Sequence, residues 1–343
     1  MRTLTSSDQL TWEAITLKLR NPFRLSYGVS ETRQAYWIRL PNDEGWGEGT
    51  IPPYYRVDPS ALTSCWEQAR DQNKPLPDDL ESIPSWITHG PAPARAALDL
   101  ALHDRVARRR GLPLRKLLDL PKIPALPTAF TISIDTPEAM AQMARDIADY
   151  PIIKIKLGSD DDESRVHAMR AARPDARLFV DANAGWTVEQ AITNLKWLEK
   201  YDIELIEQPL PAEQRRELGD VQRATSIPIV ADESVQSLED VEILAAAGVK
   251  AINLKVMKVG GIGPALRILG RARDLKLKIM LGCMMETSIG ITACAHLAGL
   301  ADWLDLDAPL VITNDPFDGI RYDQHARISL PDRPGIGVEL KTG

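Results

Sequence analysis

The chain of 343 residues carries 41 Lys and Arg against 48 Asp and Glu, which gives a formal net charge of −7. This acidic balance provides no overall attraction for the phosphates of nucleic acid, and the chain lacks the clustered basic residues of a membrane-surface helix. With 44% hydrophobic residues the composition is that of a globular protein, and the length predicts about two domains of roughly 150 residues each.

The first part of the chain has an irregular pattern. Strand-like runs at 12–20 and 35–40 are separated by turn-rich stretches. From 94 to 109 the apolar residues fall on one face of a predicted helix, which a Gly and a Pro follow. The stretch at 120–127 contains three prolines and is typical of a linker.

From residue 128 onward, short apolar runs recur at a nearly constant period, and each ends in polar residues. The residues that mark these ends lie 25, 26, 25, 23, 28 and 22 positions apart: Lys156, Asp181, Glu207, Asp232, Lys255, Cys283 and Asp305. A parallel strand, a crossover helix and two loops need about 30 residues or slightly fewer. Amphipathic stretches at 187–201, 237–247 and 263–276 supply helices between the runs.

Eight strands that alternate with helices predict a (β/α) barrel. A doubly wound sheet is the alternative, but eight strands exceed what that fold usually needs. In addition, no Gly-rich phosphate-binding turn follows the first predicted strand, and the lone Gly260-Gly261 pair is a weak cofactor signal.

Three carboxylates end adjacent predicted strands: Asp181, Glu207 and Asp232. Adjacent strands lie about 4.8 Å apart, so we expect the three side chains to converge at the carboxyl-terminal mouth of the barrel, where such barrels carry their chemistry. Oxygen ligands without Cys or His suit Mg²⁺ or Mn²⁺ better than Zn²⁺. Without a cation the three charges would repel one another.

Two lysines flank this trio in strand order. Lys156 ends the second strand and Lys255 ends the sixth, so their ammonium groups are predicted to face each other across the mouth. Lys154 points to the same side as Lys156, because residues two apart on a strand share a face. Neighbouring positive charge lowers a lysine pKa, and a lysine with a lowered pKa can act as a general base.

The eighth strand ends in Asp305-Leu306-Asp307, whose two carboxylates share one face across the barrel from the trio. From spacing alone the pair fits three interpretations. It could be a second cation site, an interior ion pair with a lysine, or a clamp for a substrate ammonium group.

Taken together, these motifs resemble the enolase superfamily, in its muconate-lactonizing-enzyme subgroup. The Asp305-x-Asp307 pair narrows the resemblance to the dipeptide epimerases, of the L-Ala-D/L-Glu epimerase type. The other matching motifs, in chain order, are Lys154-Ile155-Lys156, Asp181-Ala182-Asn183, Glu207-Gln208-Pro209, Asp232-Glu233-Ser234, and Asn253-Leu254-Lys255 followed by Gly260-Gly261.

The resemblance implies an α/β fold, a modified TIM barrel of the form (β/α)7β with an N-terminal α+β capping domain. It divides the chain into a capping domain at 1–122, a barrel at 123–312, and a C-terminal tail at 313–343 that returns to the cap.

The resemblance also implies residue roles. Asp181, Glu207 and Asp232 would bind one Mg²⁺ per chain, with Mn²⁺ as a substitute, and Asn183 would support that site. Lys156 and Lys255 would be the acid/base pair, and Lys154 would tune Lys156. Asp305 and Asp307 would hold the free α-ammonium of a dipeptide.

The implied function is a Mg²⁺-dependent dipeptide epimerase that inverts the α-carbon of the C-terminal residue by proton transfer through an enediolate. The alternative is another enzyme of the subgroup: an o-succinylbenzoate synthase, an N-acylamino acid racemase or a cycloisomerase. The Asp305–Asp307 pair discriminates, because those substrates bring no ammonium group. A barrel kept as a structural or binding protein is a further alternative, which the intact trio and lysines disfavour.

Substrate selection in this family involves two cap loops, here 22–28 and 48–56. An ungapped placement puts Tyr27 where Ala-Glu epimerases carry an arginine, with Arg24 close by. Tyr54 makes the second loop bulky and aromatic. Small or apolar dipeptides are therefore expected over Ala-Glu, and residues that close the seventh strand are expected to line the pocket: Cys283 and Glu286.

The remaining signals concern compartment and partners. Only three cysteines occur, widely separated, and no apolar run has the length of a signal peptide or of a membrane span of roughly 20 residues. We expect a reduced, cytoplasmic setting, a small-molecule substrate, and no nucleic-acid or membrane partner. A homo-oligomer is compatible with the sequence.

Overall fold

The computed structural model describes residues 8–26, 28–72, 74–87 and 89–342. The chain begins with an antiparallel sheet of three strands in the order β1-β2-β3: β1 (Thr11–Leu25), β2 (Gly28–Arg39) and β3 (Trp46–Thr50). The first two strands are longer than the sequence predicted, and the register of their pairing shifts between Lys18 and Phe23. This irregularity carries the far end of β1 over the mouth of the barrel described below.

Helices complete this N-terminal region: α1 (Pro59–Asp71), α2 (Ile83–Trp86), α3 (Ala92–Arg109) and α4 (Leu114–Leu117). The predicted helix at 94–109 is α3, and most of its residues are buried. Strand β3 lies against α3 with almost no gap, because a side chain on Gly47 would collide with the backbone carbonyl of Ala97. Glycine therefore permits this close approach of strand and helix.

The rest of the chain forms an eight-stranded parallel sheet in chain order, with these strands: β4 (Phe130–Ile132), β5 (Ile152–Lys156), β6 (Arg177–Asp181), β7 (Ile203–Glu207), β8 (Ile229–Ala231), β9 (Ala251–Leu254), β10 (Lys278–Gly282) and β11 (Trp303–Asp305). A parallel bridge between Thr128, just before the first barrel strand, and Leu304 of the last strand brings the two edges of the sheet together. The sheet is thus a nearly closed barrel, which confirms the predicted modified TIM barrel and excludes the doubly wound alternative.

Helices connect the strands and follow the last one: α5 (Pro137–Asp146), α6 (Asp162–Ala172), α7 (Val188–Leu198), α8 (Glu217–Arg223), α9 (Leu238–Ala247), α10 (Val256–Val259), α11 (Ile262–Asp274), α12 (Ser288–Ala295) and α13 (Ala308–Val311). Thr187 and Ser237 form capping boxes that fix the starts of α7 and α9. Across the described ranges, every helix is too short or too polar to cross a bilayer.

One apolar side chain from each strand, or from just before it, fills the lower part of the barrel: Ala129, Ile152, Phe179, Leu205, Val230, Ala251, Met280 and Trp303. This packed layer leaves the carboxyl-terminal end of the barrel for polar side chains. The arrangement is the one expected of a closed parallel barrel.

The last part of the chain forms two short antiparallel pairs, β12 (Phe317–Asp318) with β15 (Glu339–Leu340) and β13 (Arg321–Tyr322) with β14 (Ile328–Ser329). The ring of Phe317 contacts Trp37 of β2 and Trp46 of β3, with centroid distances of 4.9 and 6.1 Å. The tail therefore packs against the N-terminal sheet.

Candidate active site

A cavity lies between the N-terminal region and the carboxyl ends of the barrel strands. The residues predicted from the sequence that line it are Tyr54, Lys154, Lys156, Asn183, Asp232, Lys255, Cys283, Asp305 and Asp307. Asp181 and Glu207 lie directly beneath and are fully buried. The structure thus brings the predicted lysines and carboxylates from separate strands into one region.

Strand register explains this assembly. Lys156 of β5 pairs with Asp181 of β6, which in turn pairs with Glu207 of β7. Three neighbouring strands therefore end at the same level, each with a charged side chain. Asp232 follows directly after β8, and Lys255 directly after β9.

The buried carboxylates are paired with lysine ammonium groups. Lys154 Nζ lies 3.0 Å from Asp181 Oδ2, 2.6 Å from Glu207 Oε2 and 2.7 Å from Asp305 Oδ2. Lys156 Nζ lies 2.6 Å from Asp181 Oδ2. Burial without a partner would be costly for each of these charges. The attraction within each ion pair offsets part of the desolvation cost of its two members.

A second group of charges surrounds Asp232. Lys255 Nζ donates to Asp232 Oδ2 at 2.7 Å, and Lys258 Nζ contacts both Asp232 Oδ1 and the Asp232 carbonyl oxygen. The sequence interpretation did not single out Lys258. Its signal was its position three residues after Lys255, which on the short helix α10 brings both side chains to the same carboxylate.

The structure differs from the expected convergence of three carboxylates on one point. Among the described residues, no three acidic, His or Cys side chains are grouped closely enough to hold a metal ion as they stand. The carboxylates are instead paired with lysines: Lys154 lies between Asp181 and Glu207, and Lys255 and Lys258 contact Asp232.

The donor set still fits a hard divalent cation in chemical character. All three carboxylates are buried oxygen ligands at adjacent strand ends, the kind that Mg²⁺ prefers. Beside them, Asn183 Oδ1 and Glu233 Oε2 are buried oxygens that have no hydrogen-bond donor within the described part of the chain. Unpaired buried oxygens favour an additional positive group at this place.

Two of the buried lysines have raised pKa values. Burial would lower the pKa of Lys255, but the charges of Asp232 and Glu207 outweigh it and hold that pKa well above its ordinary value. The pKa of Lys154 is raised in the same way, chiefly by Asp305. The direction is upward for both lysines because carboxylates rather than other ammonium groups are their nearest neighbours.

The carboxylate pKa values separate in opposite directions. Burial raises the pKa of Glu207 to about 8, and the nearby charges of Asp181 and Asp232 add to this effect. Burial acts on Asp181 too, but Lys156 and Lys154 outweigh it and lower its pKa to about 2. The pKa values of two carboxylates on neighbouring strands are thus shifted in opposite directions, because Asp181 has two lysine neighbours and Glu207 has two carboxylate neighbours.

The Asp305–Asp307 pair lies at the end of the last barrel strand and lines the same cavity. Asp305 Oδ2 is bound by Lys154, whereas Asp305 Oδ1 is buried and has no hydrogen-bond partner among the described residues. Asp307 Oδ2 accepts a hydrogen bond from the backbone N–H of Thr131 at 2.7 Å. The interior ion pair with a lysine, one of the three interpretations from the sequence, is therefore present. It uses only one of the two Asp305 carboxylate oxygens as an acceptor.

The N-terminal region covers the cavity with mainly apolar groups. Phe23 lies with its ring centroid 5.9 Å from Lys156 Nζ, and Tyr54 accepts a hydrogen bond from Ala212 N–H at 3.4 Å. Arg24 is exposed and is not among the lining residues. The predicted residue Tyr27 lies outside the described residues. The sequence interpretation missed Phe23, although its position within the first cap loop was a signal.

A further contact joins the two halves of the molecule. Glu48 of β3 is fully buried and accepts hydrogen bonds from Thr287 N–H, the Thr287 hydroxyl and Gly290 N–H at the start of α12. Glu286, predicted to line the cavity, instead lies buried beside Glu48 and is not among the lining residues. Burial raises the pKa of Glu48 to about 7 and that of Glu286 to about 8.

Residues 138–343 match the family model described as enolase C-terminal domain-like. The chain is 34% identical over 337 residues to an L-Ala-D/L-Glu epimerase of Bacteroides thetaiotaomicron, and the match covers 96% of this chain and 87% of that protein. It is 35% identical over 350 residues to a hydrophobic dipeptide epimerase of Roseobacter litoralis, covering 97% of this chain and 99% of that one.

The fold agrees with a solved structure of the same kind. A dipeptide epimerase from Cytophaga hutchinsonii, complexed with Mg and the dipeptide D-Ala-L-Val, superposes with a TM-score of 0.91 at 29% identity. The superposition covers 98% of this chain and 96% of that one.

Proposed function

This chain belongs to the enolase superfamily and to its dipeptide epimerase family, and from that membership we propose that it is a Mg²⁺-dependent dipeptide epimerase. It would invert the α-carbon of the C-terminal residue of a dipeptide. The observation that carries this proposal is one cavity lined by two lysines from distant strands and by the Asp305–Asp307 pair.

Lys156 and Lys255 are the proposed acid/base pair. Lys156 ends the second barrel strand and Lys255 follows the sixth, so they approach the cavity from opposite sides of an eight-stranded ring. One lysine removes the α-proton, which leaves an enediolate, and the other returns a proton to the opposite face. Bases on both faces allow inversion in either direction.

Asp181, Glu207 and Asp232 would hold the Mg²⁺, one per chain and replaceable by Mn²⁺, with Asn183 as a neighbouring support. When bound, the cation stabilises the negative charge that develops on the substrate carboxylate. Lys154 contacts two of the three carboxylates and Asp305, so its ammonium sets the local charge around Lys156.

Asp305 and Asp307 are proposed to bind the free ammonium of the dipeptide. The support is the unpartnered oxygen Asp305 Oδ1, which lies in a buried carboxylate at the cavity wall and is an acceptor without a donor within the described ranges. An ammonium group carries three N–H donors and would satisfy it. Substrates without an ammonium group would leave this oxygen unpaired.

The cavity wall favours apolar substrate side chains. Phe23, Leu25, Ile51, Tyr54 and Met284 contribute mainly apolar surface. Arg33 is a cation of the N-terminal region on this wall. We propose a preference for small or apolar dipeptides over Ala-Glu, and a panel of dipeptides followed by α-proton exchange in D₂O tests it. Highest turnover of L-Ala-L-Glu would contradict this preference.

The domain division at 122 and 312 belongs to the same proposal. The region before the first boundary supplies the cover of the cavity, the barrel supplies the charged residues, and the tail packs on the cover through Phe317.

The acid/base roles predict the behaviour of two variants. Lys156→Ala and Lys255→Ala should each lower epimerisation by about 10²- to 10⁴-fold, the usual contribution of a general acid or base. Each variant should still exchange the α-proton of one stereoisomer with D₂O, because the remaining lysine faces one side of the α-carbon. Proton NMR of each substrate isomer measures both quantities.

Lys250→Ala is the matched control, because Lys250 is exposed on the barrel outside the cavity. It should keep wild-type activity. Full epimerase activity in both Lys156→Ala and Lys255→Ala would show that the two-base mechanism is wrong.

Removal of the metal provides an independent prediction. Treatment with EDTA should abolish activity, and addition of Mg²⁺ or Mn²⁺ should restore it. The Asp232→Asn variant should bind Mg²⁺ more weakly, because a charged ligand is lost from an oxygen site, and isothermal titration calorimetry measures this directly. Undiminished activity in EDTA would remove the metal from the proposal.

A further inference from the structure

The loop after β3 places a tyrosine hydroxyl in the active-site cavity that has no part in the acid/base steps described above. Tyr55 lines this cavity beside Tyr54, and the two rings meet edge to face at a centroid distance of 5.3 Å. The backbone N–H of Tyr55 donates to the Pro52 carbonyl at 3.2 Å. This hydrogen bond closes the tight turn that presents the ring to the cavity.

The Tyr55 hydroxyl is buried but unsatisfied. Its oxygen has no hydrogen-bond partner among the residues that the structure describes. The same is true of Glu233 Oε2, so the tyrosine and this carboxylate oxygen are not bonded to each other. A buried hydroxyl without a partner has lost its water without compensation, and it therefore favours a polar group that arrives with the substrate.

The charges around the hydroxyl locate it at the reacting end of the cavity. Those that act on it most strongly are the carboxylates of Asp232 and Glu233 and the ammonium of Lys255, all of which line the active site. Tyr55 also lines a neighbouring cavity that reaches Met257, but its charged neighbours are those of the active site. Burial, together with the two carboxylates, raises the pKa of Tyr55, so the hydroxyl stays a hydrogen-bond donor at neutral pH.

The reaction brings an acceptor to this place. The carboxylate of the C-terminal residue is bonded to the α-carbon, which must lie between Lys156 and Lys255 for proton transfer. When a lysine removes the α-proton, the electron pair left on carbon moves onto the carboxylate, whose oxygens gain negative charge as an enediolate. A hydrogen bond to one of these oxygens therefore strengthens as the proton leaves, which is the condition for catalysis by a donor.

We propose that Tyr55 is a further catalytic residue, whose hydroxyl donates a hydrogen bond to the substrate carboxylate and stabilises the enediolate without giving up its proton. This inference rests on the proposed function and deepens it. The substrate supplies the acceptor that the hydroxyl lacks within the described part of the chain. The N-terminal region then contributes to the chemistry as well as to the cover of the cavity.

Tyr55→Phe tests the role, because it removes the hydroxyl and keeps the ring. Its kcat for epimerisation should fall by about 10²- to 10³-fold, the usual effect of removing one donor to a developing oxyanion, while KM changes little. Exchange of the α-proton with D₂O should slow by the same factor for both substrate isomers, because both pass through one enediolate. Urea unfolding should show no large loss of stability, since the removed hydroxyl has no partner in the free protein.

Tyr36→Phe is the matched control. It removes the same group from the N-terminal region, where the ring packs against Trp66 outside the cavity, and it should keep wild-type kinetics. Unchanged kcat or a rise in KM alone in Tyr55→Phe would overturn the catalytic role, as would a large loss of stability. Slower exchange of only one isomer would also overturn it, because that pattern indicates a displaced Lys255. Failure of the wild-type enzyme to epimerise any dipeptide would instead overturn the proposed function.

Discussion

At the level of single residues, the site is a balanced set of buried charges. Lys154 bridges Asp181, Glu207 and Asp305, so one ammonium touches carboxylates from three strands. Asp305 nevertheless keeps one oxygen without a partner within the described ranges. A carboxylate that is only half satisfied is well suited to receive a second positive group from a substrate.

This arrangement predicts the effect of removing the carboxylate charges. The double variant Asp305→Asn with Asp307→Asn should lower kcat/KM for free-amine dipeptides by roughly 10- to 100-fold, since a hydrogen bond to a charged group contributes about 1.5–3 kcal/mol. An N-acetylated dipeptide has no ammonium to lose, so the ratio of free to acetylated substrate should fall. Steady-state kinetics on both substrates measures it.

Asp274→Asn removes one negative charge at an exposed position of α11 and serves as the control. It should leave the ratio unchanged. An unchanged ratio in the double variant would instead favour the structural ion pair with Lys154 as the role of this strand end.

Residue identity was predictable from the sequence, but side-chain placement was not. The positions of Lys156, Asp181 and Glu207 followed from the strand period. Which atoms they contact depends on how buried charges neutralise one another, which involves long-range partners such as Lys154 with Asp305, 151 positions apart. For the same reason Lys258 escaped notice, because its role depends on Asp232 in another part of the chain.

At the level of elements, glycines determine how closely β3 approaches α3. A Cβ on Gly47 would collide with the Ala97 carbonyl, which is backbone and cannot rotate away. Gly47→Ala should therefore destabilise the protein by several kcal/mol, as overpacking of a core does. Urea unfolding measures the change in the free energy of unfolding.

Gly270→Ala is the complementary substitution. Gly270 lies in α11, and a Cβ added there would meet no atom within 4 Å. Alanine there should stabilise by about 1 kcal/mol, because it is the better helix former. If Gly47→Ala and Gly270→Ala changed the free energy of unfolding equally, β3 and α3 would not be as closely packed at Gly47 as described above.

Elements of the barrel were predicted well, and those of the N-terminal region less so. Each barrel strand is a short buried run between polar ends, as in β5 and β6, so its apolar run is a clear signal. In β1 the second half is largely exposed and has the sequence pattern of a loop, although hydrogen bonds to β2 continue to Leu25. Backbone pairing without burial leaves little trace in the sequence.

At the level of the whole molecule, Glu48 and Glu286 make stability depend on pH. Burial raises the pKa of these carboxyls to about 7 and about 8, from 4.5. Between about pH 5 and 8 the folded state then binds more protons than the unfolded state, so the free energy of unfolding should fall as pH rises through this window. At a pH above both pKa values, these two groups should cause no further change in the free energy of unfolding.

The Glu286→Gln variant tests whether the free energy of unfolding falls as pH rises. Gln can still accept the hydrogen bond from Met284 N–H but has no charge to lose. In EDTA, its free energy of unfolding relative to the wild type should rise steadily from pH 5 to pH 8. Glu138→Gln, at an exposed position of α5, should show no such trend. A difference independent of pH in Glu286→Gln would contradict the raised pKa.

The contact of Phe317 with Trp37 and Trp46 has a consequence for synthesis on the ribosome. Chains emerge from their N-terminus and domains fold as units as they appear. The two tryptophans are made early, but the aromatic ring that covers them is translated only after all eight barrel strands. The nascent N-terminal sheet therefore lacks this part of its aromatic packing until translation is nearly complete, although Trp37 and Trp46 already contact each other.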